Sequence, residues 1–221
     1  MLNKLAGKWI ALDGTDAVGK STQVSLVEKK LKAGGAEILV LPEFSNSPVG
    51  KTIQSIIEEQ RFFALHATKK TPYADTYALI SDVAYHIESD GNDVMKRGGT
   101  VLSDRGLLSL IGYQAKRIEQ YSAIDVEAAV DRLTQIVKQA MDHIHFPDLH
   151  VLLVLNAEEM QRRVVGRGET PLTDTDLIFM REVRDIMERL SNTINAVILN
   201  VSAMDKEETT REIMRVAEEK V

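Results

Sequence analysis

Lys8-Trp9-Ile10-Ala11-Leu12-Asp13 runs directly into Gly14-Thr15-Asp16-Ala17-Val18-Gly19-Lys20-Ser21-Thr22. The first six residues are short and apolar, as in a buried strand, and Lys20 to Ala33 has the length of a helix. Between them, Gly14 to Ser21 satisfies the pattern of a glycine, four residues and Gly-Lys-Ser/Thr. A strand, a glycine-rich turn and a helix start aim successive backbone N–H groups and the helix N-terminus at one place, which suits a phosphate. An accidental glycine-rich turn could carry the same letters, but not the flanking order. In this reading Gly14, Thr15, Asp16, Ala17, Val18, Gly19, Lys20, Ser21 and Thr22 cradle a nucleotide. Lys20 lies on its β- and γ-phosphates and Ser21 ligates magnesium.

Working outward, Gly34-Gly35 ends the helix, and Glu37 to Leu41 predicts a second strand stopped by Pro42. A parallel pair joined by a crossover helix follows. Helical spacing covers Val49 to Glu59 and Tyr73 to Lys96, with Gly91 expected to break the latter. Thr100 to Ser103 predicts a third strand, Leu149 to Leu155 a fourth and Ala196 to Val201 a fifth. Leu107 to Glu119, Val126 to Ile144, Glu158 to Val165, Asp174 to Thr193 and Lys206 to Lys220 are the remaining predicted helices. Near-continuous apolar strands alternating with helices predict an α/β fold whose five-stranded parallel sheet has helices on both faces. With 221 residues, no internal repeat and no linker, one domain spanning 1–221 is expected.

In such a sheet, ligands bind beyond the carboxyl ends of the strands. Asp104-Arg105 falls there, beside the phosphate loop. A carboxylate at that point can hold magnesium or orient an acceptor oxygen, while the guanidinium can grip a phosphate bidentately. It could also be a surface pair. Glu43, after the second strand, reaches the same edge, either to act on an acceptor hydroxyl or to cap the next helix. Arg162, Arg163 and Arg167 bracket a Gly-containing stretch, Gly166 to Thr173, that suits a lid closing over phosphates. Arg163 and Arg167 are its candidate cations, since the adjacent Arg162 points to another helix face. The five histidines have no recognisable metal-ligand spacing.

Composition excludes several classes. Lys and Arg total 27 against 33 Asp and Glu, for a net charge of -6, so the overall field repels nucleic acid. Without cysteine, thiolate catalysis and disulfides are out. No stretch reads as a signal peptide or a membrane span, so a soluble, cytoplasmic protein is expected.

Taken together, these residues resemble the thymidylate kinase family of phosphate-loop nucleoside monophosphate kinases. The similarity rests on Leu12 to Gln23 with Asp16 inside the loop, Leu41-Pro42-Glu43 followed by Val49-Gly50-Lys51, and Asp104-Arg105 with Ser109 and Tyr113-Gln114. Pro147-Asp148-Leu149, Arg163 and Arg167-Gly168-Glu169 extend it over most of the chain. It implies a three-layer P-loop kinase fold, Mg-ATP as donor, a nucleotide substrate and a homodimer. It places Asp16 near the acceptor's sugar 3′-hydroxyl and gives Glu43, Arg105, Ser109 and Tyr113 acceptor-binding roles. Ser21 and Asp104 would then serve magnesium, with Lys20, Asp104, Arg163 and Arg167 in catalysis.

The departures fall on the acceptor side. Pro42 and Phe44 stand where the family carries an arginine for the acceptor phosphate, and Val83 and Leu79 where it has a base-contacting arginine and a stacking phenylalanine. Gly106 replaces the aromatic after Asp-Arg, and the lid reads Thr170-Pro171-Leu172-Thr173. The leading expectation is phosphoryl transfer to a nucleoside monophosphate, thymidylate first. A nucleoside or other small-molecule kinase using Glu43, a nucleotide-driven switch, and a binder without turnover stay open.

Overall fold

In the computed structural model, residues 4–59 and 72–221 are described. Five strands, β1 (Trp9–Asp13), β2 (Ile38–Leu41), β3 (Thr100–Asp104), β4 (Leu149–Val154) and β5 (Ala196–Asn200), form one sheet in the order β2-β3-β1-β4-β5. Every pairing is parallel. β1, β3 and β4 are buried along their whole length, which requires cover on both faces and explains their unbroken apolar sequence. The expected five-stranded α/β architecture is the observed one.

Nine helices are found among the described residues: α1 (Lys20–Ala33), α2 (Pro48–Glu59), α3 (Pro72–His86), α4 (Asn92–Lys96), α5 (Leu107–Tyr121), α6 (Val126–Ala140), α7 (Ala157–Gly166), α8 (Asp174–Ser191) and α9 (Lys206–Lys220). Several begin where a side chain takes the first free N–H groups. Asp125, Asn156, Thr173 and Asp205 do so for α6, α7, α8 and α9, the last two as full capping boxes with Asp176 and Glu208.

Gly91 does not break the helix after α3. The chain continues through one π-helical stretch, Ile87–Gly91, into α4, and Gly91 keeps helical φ/ψ. A wider turn accommodates an extra residue without ending the hydrogen-bonded ladder. Ile87 stays fully buried there, and the core side chain on the wide turn outweighs the glycine's helix cost of about 1 kcal/mol.

The register decides what the sheet presents at its carboxyl edge. Leu12 lies opposite Asp104 and Asp13 opposite Leu152. The phosphate loop, the Asp104-Arg105 turn and the segment after β2 therefore emerge side by side.

Candidate active site

The loop between β1 and α1 has the shape its glycines allow. Gly14 has φ 144° and Gly19 φ 97°, and a Cβ at Gly14 would stand 2.6 Å from the Leu153 carbonyl oxygen. Ala17 is also left-handed, with φ 65°. Inside the loop, the buried Lys20 ammonium donates to the Thr15 carbonyl at 2.9 Å. Burial, followed by the nearby Arg105 charge, holds Lys20 below its ordinary pKa. A donor-side cavity of about 350 Å³ opens here, lined by Lys20, Ser21, Thr22, Arg167 and other residues.

A second cavity, about 270 Å³, lies between the segment after β2, helices α3, α5 and α8, and the Asp104-Arg105 turn. Phe44, Leu79, Val83, Tyr113 and Phe179 make it largely apolar. The residues that replace the expected arginines and phenylalanine all face it. Asp16, Glu43, Arg105 and Met180 line both cavities and form their shared boundary.

Arg105 is the hub of that boundary. Its Nε donates to Glu43 Oε1 at 2.6 Å, Nη2 to Asp16 Oδ1 at 2.6 Å and Nη1 to the Gly14 carbonyl at 3.1 Å. The guanidinium carbon sits 5.1 Å from the Tyr113 ring centroid. Although burial works against its charge, Glu43 leads the carboxylates and tyrosine that hold its pKa well above the ordinary value. The backbone there is left-handed at φ 79°, a conformation costing about 1 to 3 kcal/mol in a non-glycine residue. Contacts on every side sustain it.

The sequence reading missed what positions this turn. Helix α5 has no cap from its own N-cap residue, Gly106. Instead Asp13, at the end of β1, accepts from the Gly106 amide, the Ser109 amide and the Ser109 hydroxyl with one oxygen, at 2.9, 2.8 and 2.6 Å. Its other oxygen lies 2.7 Å from His150 Nδ1 on β4. Burial alone would raise the Asp13 pKa, yet the His150 ring and the Ser109 donors outweigh it and hold the carboxyl low. Asp13, Ser109 and His150 are 137 residues apart at the extremes, so no local spacing announces them. Ser109 lines the acceptor cavity, but its hydroxyl hydrogen is already committed to Asp13.

This network also accounts for Gly106. A Cβ there would stand 2.6 Å from the Ala11 Cβ and 3.0 Å from both Asp13 Oδ2 and His150 Cε1. Gly106→Ala is expected to lower unfolding free energy by about 2 kcal/mol through overpacking, measured by urea titration. An unchanged midpoint would show that the turn has slack.

The expected lid residues separate in space. Arg163 lies behind the loop, with Nη1 on the Val18 carbonyl at 2.9 Å, Nη2 on the Val201 carbonyl at 3.2 Å and Nε on Glu159 at 2.7 Å. Arg162 and then Arg163 hydrogen-bond Glu159 and pull its pKa to about 2. Arg167 instead lines the donor cavity, and its Nε pairs with Glu169 at 2.9 Å. At the far end of this segment, Leu172 is clamped through its amide and carbonyl to the Gln161 side chain. The exposed run is Val165 to Pro171, and the part of it beyond α7 is Arg167 to Pro171.

Magnesium fits the residues present. Asp104 Oδ1 is buried without a hydrogen-bond partner among the described residues, an expense that a cation would relieve, and Ser21 lines the donor cavity.

The model of the thymidylate kinase family matches residues 12–213. This chain belongs to the thymidylate kinase family. As a member it is an ATP-dependent phosphotransferase acting on small nucleotides. The probable thymidylate kinase of Thermococcus gammatolerans is 24% identical over 216 residues, covering 97% of this chain and 98% of that protein. The thymidylate kinase of Caldanaerobacter subterraneus subsp. tengcongensis is 28% identical over 186 residues, covering 84% and 82%. Among solved structures, the thymidylate kinase of Candida albicans superposes with a TM-score of 0.72 at 18% identity, over 97% of this chain and 92% of that one. That likeness supports the family's fold. No helix among the described residues is long and apolar enough to cross a membrane.

Proposed function

We propose that this protein transfers the γ-phosphoryl group of Mg-ATP to a nucleoside monophosphate, with thymidylate as acceptor and thymidine diphosphate as product. One observation carries the reading: a phosphate-loop cavity and an apolar, base-sized cavity meet at a single boundary formed by Arg105, Asp16 and Glu43. A flat base enters the apolar cavity and its phosphate comes to Arg105. Lys20 and the loop amides hold the donor, and Asp16 faces the acceptor sugar. Ser21 and Asp104 would hold magnesium, which would supply charge neutralisation to the transferred group. Arg167 approaches from the donor side, while Arg163 braces the loop backbone. Catalysis here is positioning and electrostatics, the two demands that phosphoryl transfer makes of a protein.

The test is an ATP-consumption screen with magnesium across the deoxynucleoside monophosphates and the free nucleosides. Thymidylate should be the preferred acceptor but with a high Michaelis constant, because each missing charged contact weakens binding by about tenfold. Efficient phosphorylation of a free nucleoside, with every monophosphate ignored, would overturn this reading. That second reading rests on Glu43, a carboxylate at the boundary that could act on a neutral hydroxyl once its ion pair with Arg105 opens.

Closure of the exposed run Arg167 to Pro171 is expected when both substrates bind. Amide exchange there should be fast in the free protein and slow with a two-substrate analogue, while Leu172 and Thr173 are protected in both. Protection throughout in the free protein would make the segment a fixed loop.

A further inference from the structure

Arg105 is the only lysine or arginine among the described residues lining the acceptor cavity, against the carboxylates Asp16, Glu43, Asp82 and Asp104. Asp82 is spent on the Ser45 amide and on the hydroxyls of Ser45 and Ser47. The other three remain near Arg105, each adding to the stabilisation of its charge. In the family pattern a second arginine beside Glu43 would offset them, and here Glu43 is flanked by Pro42 and Phe44.

The geometry of the guanidinium sharpens the consequence. Nε–H and one Nη2–H lie along the same edge and form the fork that matches two oxygens of a phosphate. In this structure the two arms go to different carboxylates, Nε to Glu43 and Nη2 to Asp16. A phosphate can take that edge only by displacing one of them. Burial would raise the Asp16 pKa, but three cations, Arg105, then Lys20 and Arg167, draw on the carboxylate and hold it low. Glu43 has one ion-pair partner among the described residues, Arg105. Both carboxylates reach water to a similar extent, but Glu43 follows β2 on the chain and has no second ion-pair partner among the described residues to hold it when it turns away.

Resting on the reading of this cavity as the acceptor site, we propose that Glu43 is a specificity-determining residue that stands in for the acceptor's phosphate on Arg105. An acceptor binds productively when its anionic group replaces the Glu43 carboxylate at Nε. A neutral nucleoside leaves the Glu43–Arg105 pair in place and gains nothing from the fork. Acceptor affinity is thus a competition between two anions for one edge of one arginine. Binding of the phosphate is weakened by the carboxylate it must displace, while a neutral nucleoside bears no such cost, so Glu43 sets how far phosphorylated acceptors are preferred over unphosphorylated ones by narrowing that preference.

The experiment is calorimetric titration of wild type and Glu43→Gln with five deoxynucleoside monophosphates and with the matching free nucleosides, alongside the turnover screen. Glutamine keeps the shape and can still accept from Nε, but it competes without charge. The best-binding monophosphate should bind the variant at least about threefold more tightly, while the matching nucleoside changes by less than about twofold. Unchanged or weaker monophosphate binding would overturn the proposal, as would equal gains for nucleoside and monophosphate. Failure of any monophosphate to bind either protein would overturn it too. If a monophosphate binds more tightly to the variant but none is phosphorylated by wild type, the competition stands and the assigned reaction falls. A loss of nucleoside turnover in Glu43→Gln, with no gain in phosphate binding, would make Glu43 a base instead.

Discussion

Lys20→Ala should lower turnover by about 10³-fold while the fold stays intact. The ammonium is buried at the mouth of α1, and its hydrogen bond goes to the Thr15 carbonyl in the loop we propose to hold the donor phosphates. Removing it deletes a cation placed where negative charge must be stabilised during transfer. It deletes little packing, because the side chain lines the donor cavity and does not fill the core. Steady-state assays with saturating acceptor, alongside thermal unfolding, check both halves. Near-wild-type turnover with an unchanged melting temperature would remove the loop from the reaction.

Asp104→Asn should cut turnover by about 10²-fold to 10³-fold and change how the rate responds to magnesium. Its Oδ1 is buried and has no hydrogen-bond partner among the described residues, the place at which a cation would be held. An amide is cheaper to bury than a charge, and the variant should therefore melt no lower than wild type when magnesium is absent. The wild type should gain thermal stability as magnesium-nucleotide is added, and the variant should gain less. Equal stabilisation of the two by magnesium-nucleotide would leave Asp104 with a role in positioning alone.

That both residues lie at the carboxyl edge of the sheet was legible in the chain because the signals that place them are local. Gly14 to Ser21 compresses a strand end, a turn and a helix start into a few neighbouring positions, and Asp104-Arg105 follows its strand without a gap. The apolar runs of β1, β3 and β4 were equally plain, since burial on both faces leaves no room for polar alternation. Glycine was a weaker guide. Gly91 reads as a stop, yet the helix passes through it because Ile87 beside it is anchored in the core. Arg163 and Arg167 read as one lid, yet α7 ends at Gly166 between them, so Arg163 is held on the helix against the Val18 carbonyl and Arg167 lies past its end at the donor cavity.

The sequence by itself determined the strand–loop–helix unit, the parallel sheet and the set of residues that could meet at its carboxyl edge, because periodicity and turn chemistry act between near neighbours. Tertiary structure alone decided how those residues are used. Asp13 caps α5 from another strand and leans on His150, so the turn that carries Arg105 is held by residues far apart in sequence. Gly106 is required by the closeness of Ala11 and His150, which no reading of its own segment reveals. The division of Arg105 between Glu43 and Asp16 likewise exists only once β1, β2 and β3 lie side by side, because hydrogen bonds and charges act over a few ångströms of space and are indifferent to distance along the chain.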